Sequence, residues 1–308
     1  MRYRRLDLNL LVALEALLTE KSVTRAAAKL NITQPAMSGA LARLREYFED
    51  PLIIQVGRHM ELTPYAQTLV GPIHDIIMRI DSAIASEPVF DPAQSQRHFS
   101  MTLSDYVIRV FLQKVLVDVH REAPGITFEF RQSSARVQEE LESGDVDFVI
   151  GPPIDVLPEH PQEMLFEDDY TVVAWKDSTV VGDTLSFDQY LSLRHVVFRD
   201  AHRGAPWLER WFAQRYGEVR QVDVAAQNFD LLAYLVVGTD RIATIQSRLA
   251  RLVLPTLPLK AIAPPIELPV LTEVLQWNVH RDPDPASRWL RAKIKERAAQ
   301  LEPLRPVT

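Results

Sequence analysis

A pair of amphipathic helices joined by a very short turn at residues 30–33 constrains the fold of this chain more than any other feature of its sequence. The second helix has an N-cap residue, Thr33, and an apolar face made by Met37, Leu41, Leu44 and Phe48. Its opposite face carries only small side chains, those of Pro35, Ser38, Gly39 and Ala42. Solvent-facing helix surfaces usually carry Lys and Glu, so a face this bare indicates that something approaches it closely.

The residues on either side of this helix predict a small helical domain with a hairpin. Residues 8–20 carry five leucines at helical spacing, and Ser22 is an N-cap for a second helix. Asn31 suits the turn because asparagine tolerates a left-handed backbone. Beyond Pro51, two short apolar runs flank residues 57–59, which predicts a hairpin with a basic tip.

Two helices joined by a tight turn, the second edged by arginines, match a helix-turn-helix that enters the major groove of DNA. Gln34 and Ser38 would read base edges, and the arginines would neutralise phosphates. The candidate DNA contacts are Thr24, Arg25, Thr33, Gln34, Pro35, Ser38, Gly39, Arg43, Arg45 and, at the hairpin tip, Arg58. Spacing alone leaves open an ordinary helical subdomain whose uncharged face contacts another protein segment.

Charge and composition agree with a head that meets a polyanion. Of the formal net charge of -7, residues 1–65 contribute 9 basic minus 7 acidic residues, or +2, and the remainder contributes 25 minus 34, or -9. The chain has no cysteine, which excludes disulfides and thiolate chemistry and suits a cytoplasmic location. Asp7 and Glu15 interrupt the apolar run near the N-terminus. No apolar stretch is long enough to span a bilayer, so no membrane partner is expected.

Residues 7–66, from "DLNLLVALEALL" through "QPAMSGALARLREYF" to "ELTPYA", resemble the winged helix-turn-helix of the LysR-type transcriptional regulators. The "LDLNLL" start and the "QPAMS" turn are similar to the branch with the nodulation and salicylate-responsive regulators. Gln55 departs from the pattern, since many relatives have an arginine there. The resemblance implies an N-terminal winged helix-turn-helix, a long linker helix that dimerises, and a C-terminal α/β two-lobed effector domain like a periplasmic binding protein.

The resemblance and the local patterns together give the expected domain boundaries. The DNA-binding domain spans residues 1–63, the linker helix 64–85 and a hinge 86–97, with effector lobe I at 98–161 and 269–308 and lobe II at 162–268. In the linker, heptad-like spacing predicts an apolar seam for a second copy, formed by Leu69, Ile73, Ile76, Ile80 and Ala83. Pro72 should bend this helix. The alternative is a helix buried in its own domain.

The remaining sequence predicts two α/β lobes, because strand and helix patterns alternate from residue 98 onward. Ligands bind at the strand ends of such lobes, in the crevice between them. The candidate effector contacts are Ser104, Asp105, Ser133, Ser134, Gly151, Asp169, Phe198, His202, Arg203 and Arg248. By similarity, Asp169, His202 and Arg248 fall where salicylate-responsive relatives contact their ligand, although position 169 is more usually a histidine. The serines are otherwise only helix caps and the arginines surface charges.

No enzyme motif or metal-ligand spacing occurs, and no cofactor is expected. The sequence therefore predicts a ligand-responsive transcriptional regulator that binds double-stranded DNA and senses a small aromatic or anionic effector, such as an aromatic acid or a phenol. It would assemble as a dimer or tetramer and control neighbouring genes. Activation and repression are both open. The alternative is a small-molecule-binding module whose helical head mediates protein association.

Overall fold

The chain forms two units, Met1–Glu87 and Pro88–Thr308. The computed structural model describes residues 7–57, 59–85, 90–132, 134–153, 160–199, 207–217 and 220–303. Four predicted site residues therefore lie outside the described residues: Arg58, Ser133, His202 and Arg203. Most of the expected hinge, residues 90–97, is described, with an isolated turn at its start.

Three short helices form the core of the N-terminal unit: α1 (Leu8–Glu20), α2 (Val23–Lys29) and α3 (Gln34–Phe48). Each begins where the side chain of an N-cap residue, Asp7, Ser22 or Thr33, accepts a backbone N–H of the first turn. The predicted leucines of α1 are buried, as are Met37 and Leu44 on α3. The faces assigned from helical periodicity are thus confirmed.

The hairpin after α3 is the predicted wing. Strands β1 (Ile53–Val56) and β2 (His59–Leu62) are antiparallel, with Gln55 opposite Met60. One carboxylate oxygen of Asp50 accepts the N–H of Leu52 and, at 2.6 Å, the hydroxyl of Thr63. Asp50 therefore fixes both the entry to the wing and the start of the next helix, α4 (Pro64–Ala85).

The long helix α4 divides its apolar residues between two environments. Ile73 and Ile77 are buried with Leu14 and Leu17 in the core of the N-terminal unit, and Leu69 packs against them. His74 Nδ1 lies 2.7 Å from Glu15 Oε1 on α1. By contrast, Ile76 is 43% exposed. The prediction of one exposed seam was wrong for Leu69 and Ile73, because this face of α4 completes the small core of its own unit. The helix continues through Pro72.

Lobe I of the C-terminal unit is a five-stranded sheet in the order β4-β3-β5-β12-β6. Its strands are β3 (His98–Thr102), β4 (Thr127–Arg131), β5 (Phe148–Gly151), β6 (Gln162–Asp168) and β12 (Leu271–Trp277). The first three are parallel, as the alternating pattern predicted, whereas β12 runs antiparallel to both of its neighbours. Its helical elements are α5 (Asp105–Val107), a π-helical turn (Ile108–Leu112), α6 (Gln113–Glu122), α7 (Val137–Glu142), a 3₁₀ turn (Val279–Arg281) and α12 (Pro285–Ala299).

Lobe II repeats this layout with a sheet in the order β11-β7-β10-β8-β9. Its strands are β7 (Tyr170–Trp175), β8 (Arg194–Phe198), β9 (Gln221–Ala226), β10 (Ile242–Gln246) and β11 (Leu259–Ile262). Its helices are α8 (Phe187–Ser192), α9 (Trp207–Tyr216), α10 (Phe229–Tyr234) and α11 (Ser247–Val253). Strand β8 is parallel to β9 and β10, and β7 is antiparallel to β10 and β11.

The chain crosses from lobe I to lobe II between β6 and β7, at Asp169. The sequence placed this boundary at residue 162, but β6 pairs with β12 in the lobe I sheet from Gln162 to Asp168. Strand β12 brings the chain back into the lobe I sheet, and α12 packs on α6 and β6. Among the described residues, no helix combines the length and apolar character needed to cross a membrane.

A polar network is buried beneath α8 in lobe II. Arg220, only 4% exposed, binds Glu209 on α9 through both carboxylate oxygens and donates to the Tyr190 hydroxyl and to Thr244. His195 is fully buried, with Nε2 2.7 Å from the carbonyl of Tyr190. Burial, reinforced by the positive charge of Arg220, lowers the pKa of His195 to about 4.

Candidate DNA-binding and effector sites

The exposed face of α3 is bare in the folded protein, as the sequence predicted. Gln34, Pro35, Ser38 and Gly39 are all exposed. A Cβ atom added at Gly39 would have nothing within 4 Å. Thr33 caps the helix by accepting the N–H of Ala36 at 3.4 Å, so its hydroxyl has a structural partner at the leading edge of this face. The surface has the small relief that insertion into a DNA groove requires.

The arginines that flank this face differ in their intramolecular contacts. Arg43 makes one exposed ion pair, 3.5 Å from Asp7. Arg45 donates to the carbonyl of Pro51 at 2.8 Å and to that of Ile53 at 3.0 Å, so it fastens the wing to α3. Arg25 on α2 pairs with Glu20, and Thr24 beside it is exposed. Of the two arginines that flank the face of α3, Arg43 therefore has the weaker intramolecular contacts.

In the C-terminal unit, Asp105 connects the two lobes. It begins α5 in lobe I, and its carboxylate accepts the N–H of Phe229 at 3.1 Å and that of Asp230 at 2.9 Å, at the start of α10 in lobe II. Arg109, in the π-helical turn, lies 3.4 Å from the Asp230 carboxylate. Burial raises the pKa of Asp230, Arg109 opposes this rise, and Asp105 adds to it.

Asp168 lies at the crossing between the lobes and is fully buried. It accepts the hydroxyl of Tyr106 at 2.6 Å and the backbone N–H groups of Asp169 and Arg248. Burial raises the pKa of Asp168, and these hydrogen bonds partly oppose the rise. Burial also raises the pKa of Tyr106, so its hydroxyl remains a proton donor.

Aromatic rings pack against one another where lobe II meets lobe I. Phe198, at the end of β8, stacks on Phe229 with ring centroids 4.0 Å apart and an interplanar angle of 8°. Phe229 in turn meets Tyr106 of lobe I at 6.2 Å. A flat apolar surface of this kind suits a planar ring.

The predicted effector residues therefore divide into two groups. Asp105, Phe198 and Asp169 lie at the junction of the lobes, and Asp169 is half-buried, with a buried Oδ1 atom that has no partner among the described residues. Ser104 and Ser134 each bind a nearby backbone N–H, the role of a turn or cap residue. Gly151 is buried at the end of β5.

Arg248 has a partner that its position in the sequence did not suggest. Its guanidinium donates twice to the carbonyl of Glu167, at 3.3 Å each, and lies over the ring of Phe166. Four further residues at the junction of the lobes were not predicted from the sequence: Tyr106, Asp168, Phe229 and Asp230. An adjacent pair of acids, Asp168 and Asp169, was the available signal, but nothing local distinguishes which carboxylate turns inward.

Comparison with known proteins agrees with both halves of this architecture. Residues 8–67 match the bacterial regulatory helix-turn-helix protein, lysR family, and residues 92–299 match the LysR substrate binding domain. Nodulation protein D 3 of Rhizobium leguminosarum bv. phaseoli is 42% identical over 301 residues, which cover 98% of this chain and 100% of that protein. Nodulation protein D of Bradyrhizobium sp. (strain ANU 289) is 40% identical over 301 residues, covering 98% and 89%.

Solved structures share the fold over nearly the whole chain. A probable transcriptional regulator from Pseudomonas aeruginosa is 29% identical, with a TM-score of 0.64 and coverage of 95% of this chain and 98% of that one. Full-length OxyR from the same organism has a TM-score of 0.66 at 13% identity, with coverage of 94% and 95%, and shows the fold alone.

A helical head with a bare, arginine-edged face, joined to a two-lobed α/β unit, defines a DNA-binding regulator that responds to a small molecule. The chain belongs to the LysR family of transcriptional regulators. It is a regulator and not an enzyme.

Proposed function

We propose that this regulator binds the major groove of DNA through the exposed face of α3 and represses or activates genes beside its own in response to a small effector. The observation that carries the DNA-binding surface is the open face around Gly39, which is empty of large side chains, whereas the opposite face of α3 is buried at Met37, Leu41 and Leu44. Ser38 and Gln34 would contact base edges, and Arg43 and the wing residue Arg58 the phosphates. Such a DNA target would place the protein in the cytoplasm.

We further propose that the effector lies at the junction of the two lobes and is a small hydroxylated aromatic molecule rather than a simple carboxylate. The stacked rings of Phe198 and Phe229 support an aromatic effector. Asp169 supports a hydrogen-bond donor, since its buried Oδ1 atom has no partner among the described residues. A carboxylate effector would instead place its charge near Asp105, Asp169 and Asp230.

A gel-shift titration with the DNA that flanks the gene tests the DNA-binding proposal. Arg43→Ala should weaken specific binding and lower the slope of log affinity against log salt by about 1, because one phosphate contact is lost. Arg121→Ala is the matched control, since Arg121 is exposed on α6 of the other unit. Unchanged affinity for Arg43→Ala at every salt concentration would remove Arg43 from the contact surface.

Calorimetric titration with phenol, salicylate and benzoate tests the effector class. The proposal expects phenol to bind more tightly than benzoate, and Asp169→Asn to narrow that difference because it removes a negative charge. Benzoate binding more tightly than phenol to the wild-type protein would contradict a donor-bearing effector.

Self-association belongs to the same proposal. The exposed side chains of Ile76 and Val70 on α4 would meet a second copy of the chain, giving a dimer or tetramer that contacts paired half-sites on DNA.

A further inference from the structure

The segment after β3 and the start of α10 make four contacts between the lobes within a few residues on each side. Asp105 accepts two backbone N–H groups, from Phe229 and Asp230, and Arg109 pairs with the side chain of Asp230. The ring of Tyr106 packs edge-on against that of Phe229. We call Asp105, Tyr106, Arg109, Phe229 and Asp230 the interlobe clasp.

The hydrogen bonds that Asp105 makes between the lobes involve a charged group. A carboxylate that accepts backbone N–H groups forms charge-assisted hydrogen bonds, which are roughly twice as strong as neutral ones. Both oxygens of Asp105 are used in this way, although Asp105 and Phe229 are separated by more than a hundred residues of sequence. Asp105 therefore connects α5 of lobe I to α10 of lobe II, beside the packing of α11 of lobe II on the π-helical turn of lobe I.

Arg109 gives the clasp a second point of attachment. It lies in the π-helical turn Ile108–Leu112, and such turns commonly interrupt α-helices at functional positions. The turn follows α5 directly, and Asp105 and Arg109 both contact the start of α10. The side-chain carboxylate of Asp230 pairs with Arg109, and the backbone N–H of Asp230 donates to Asp105. Together these two contacts hold α10 in position and orientation.

We propose that Asp105 and Arg109 are positioning residues that set the relation between the lobes in the absence of effector. This inference rests on the proposed junction site, because Phe229 of the clasp stacks on the ring of Phe198. An effector that moves the lobes apart acts against the contacts of the clasp, and one that brings the lobes closer favours those contacts. The clasp thereby fixes the effector-free state from which the response starts.

Distances between spin labels, measured by double electron–electron resonance, test this inference without any effector. The chain has no cysteine, so Gln138→Cys on α7 and Asp188→Cys on α8 give one label in each lobe. Both positions are exposed. Labelled protein is mixed with excess unlabelled protein so that only distances within one chain are measured.

We expect one narrow distribution for the otherwise wild-type pair. Asp105→Asn, which keeps the shape of the side chain but loses its charge and one acceptor, should raise the fraction of a second distance about tenfold. Arg109→Ala should shift the distance distribution in the same direction. It provides the test if Asp105→Asn does not fold. Asp223→Asn is the matched control, since Asp223 binds Arg194 and Arg241 within lobe II alone.

Each outcome decides the inference. Distributions that stay identical to wild type in folded Asp105→Asn and Arg109→Ala would overturn it. Gel shifts on the same variants keep the proposed function separate, because specific DNA binding can persist when the clasp has no effect. Effector-free transcription from a reporter should change in both clasp variants and not in Asp223→Asn. A changed distance with unchanged reporter output would overturn the regulatory role.

Discussion

Tyr106 in lobe I donates a 2.6 Å hydrogen bond to Asp168, the last residue of the strand that leads to lobe II, and both side chains are buried. The same carboxylate accepts the N–H of Arg248 at the start of α11. One buried acceptor thus holds a helix of each lobe at the crossing of the chain. Removing a donor from such a group leaves part of its charge unsatisfied, which costs more than the hydrogen bond alone contributes.

Tyr106→Phe should lower the free energy of unfolding by about 1–3 kcal/mol at neutral pH. The loss should shrink in acid. Because the pKa of Asp168 is raised by burial, the carboxyl becomes protonated on lowering the pH, and a neutral group depends less on the Tyr106 donor. Urea unfolding of variant and wild type from pH 7 down to pH 4 measures this. A loss that grows on acidification would contradict the assigned role of the hydrogen bond.

His195 should make the protein less stable in mild acid. Its pKa is lowered to about 4 by burial and by Arg220, so the unfolded chain takes up a proton at higher pH than the folded chain does. Its contribution is complete above the unfolded pKa of about 6.5 and is lost as pH falls towards 4, by up to about 3 kcal/mol. His195→Gln retains an N–H for the Tyr190 carbonyl and should lose less stability between pH 7 and pH 4. Parallel pH profiles for the two proteins would exclude His195 as the source.

Gly39→Ala should separate folding from DNA binding. An added methyl group meets nothing within 4 Å, and replacing a helical glycine by alanine stabilises a helix by about 0.5–1 kcal/mol. The same methyl group would project into the DNA groove and weaken specific binding by about 1 kcal/mol or more, the scale of one groove contact. Thermal unfolding and gel shifts measure the two effects.

Gly71→Ala on α4 is the control for the glycine at position 39, because its added Cβ atom is equally free of neighbours and α4 is not the helix proposed to enter the DNA groove. It should gain stability without a loss of DNA affinity. Equal affinity for both variants would mean that the face of α3 around Gly39 does not meet DNA.

Ile76→Glu should dissociate the assembled regulator and leave the N-terminal unit folded, since Ile76 is 43% exposed. Ile73→Ala should have the opposite profile, with stability lowered by about 2–5 kcal/mol because Ile73 belongs to the buried core. Light scattering after size exclusion measures the mass, and circular dichroism the fold. Leu252→Glu, exposed on α11, controls for an added charge. An unchanged mass for Ile76→Glu would place the self-association surface elsewhere.

The N-terminal unit was predictable because its determinants are local. Apolar residues recur every three or four positions in α1 and α3, and the capping side chains of Ser22 and Thr33 lie within three residues of their partners. The same periodicity failed for α4, where Leu69 and Ile73 satisfy a seam spacing and yet pack in their own unit. Spacing identifies an apolar face but not the surface that covers it.

The effector junction was less predictable because its contacts join distant parts of the chain. Asp105 could be placed at the end of a strand, but its partners on α10 follow from the packing of two separate sheets. Asp168 and Asp169 are equivalent in composition, and the strand pleat decides which one is buried. The partner of Arg248 was equally hard to predict. Its acceptor is a backbone carbonyl, which every residue type has.

The position of β12 in lobe I has a consequence for the order in which the protein becomes complete. This strand lies between β5 and β6, yet it leaves the ribosome only after the whole of lobe II. Until then β6 lacks its only pairing partner in the sheet among the described strands, and β5 has an open edge of the kind that invites pairing with other chains. The N-terminal unit and lobe II have all their described strands earlier, so lobe I is the last part of the nascent regulator to close its sheet.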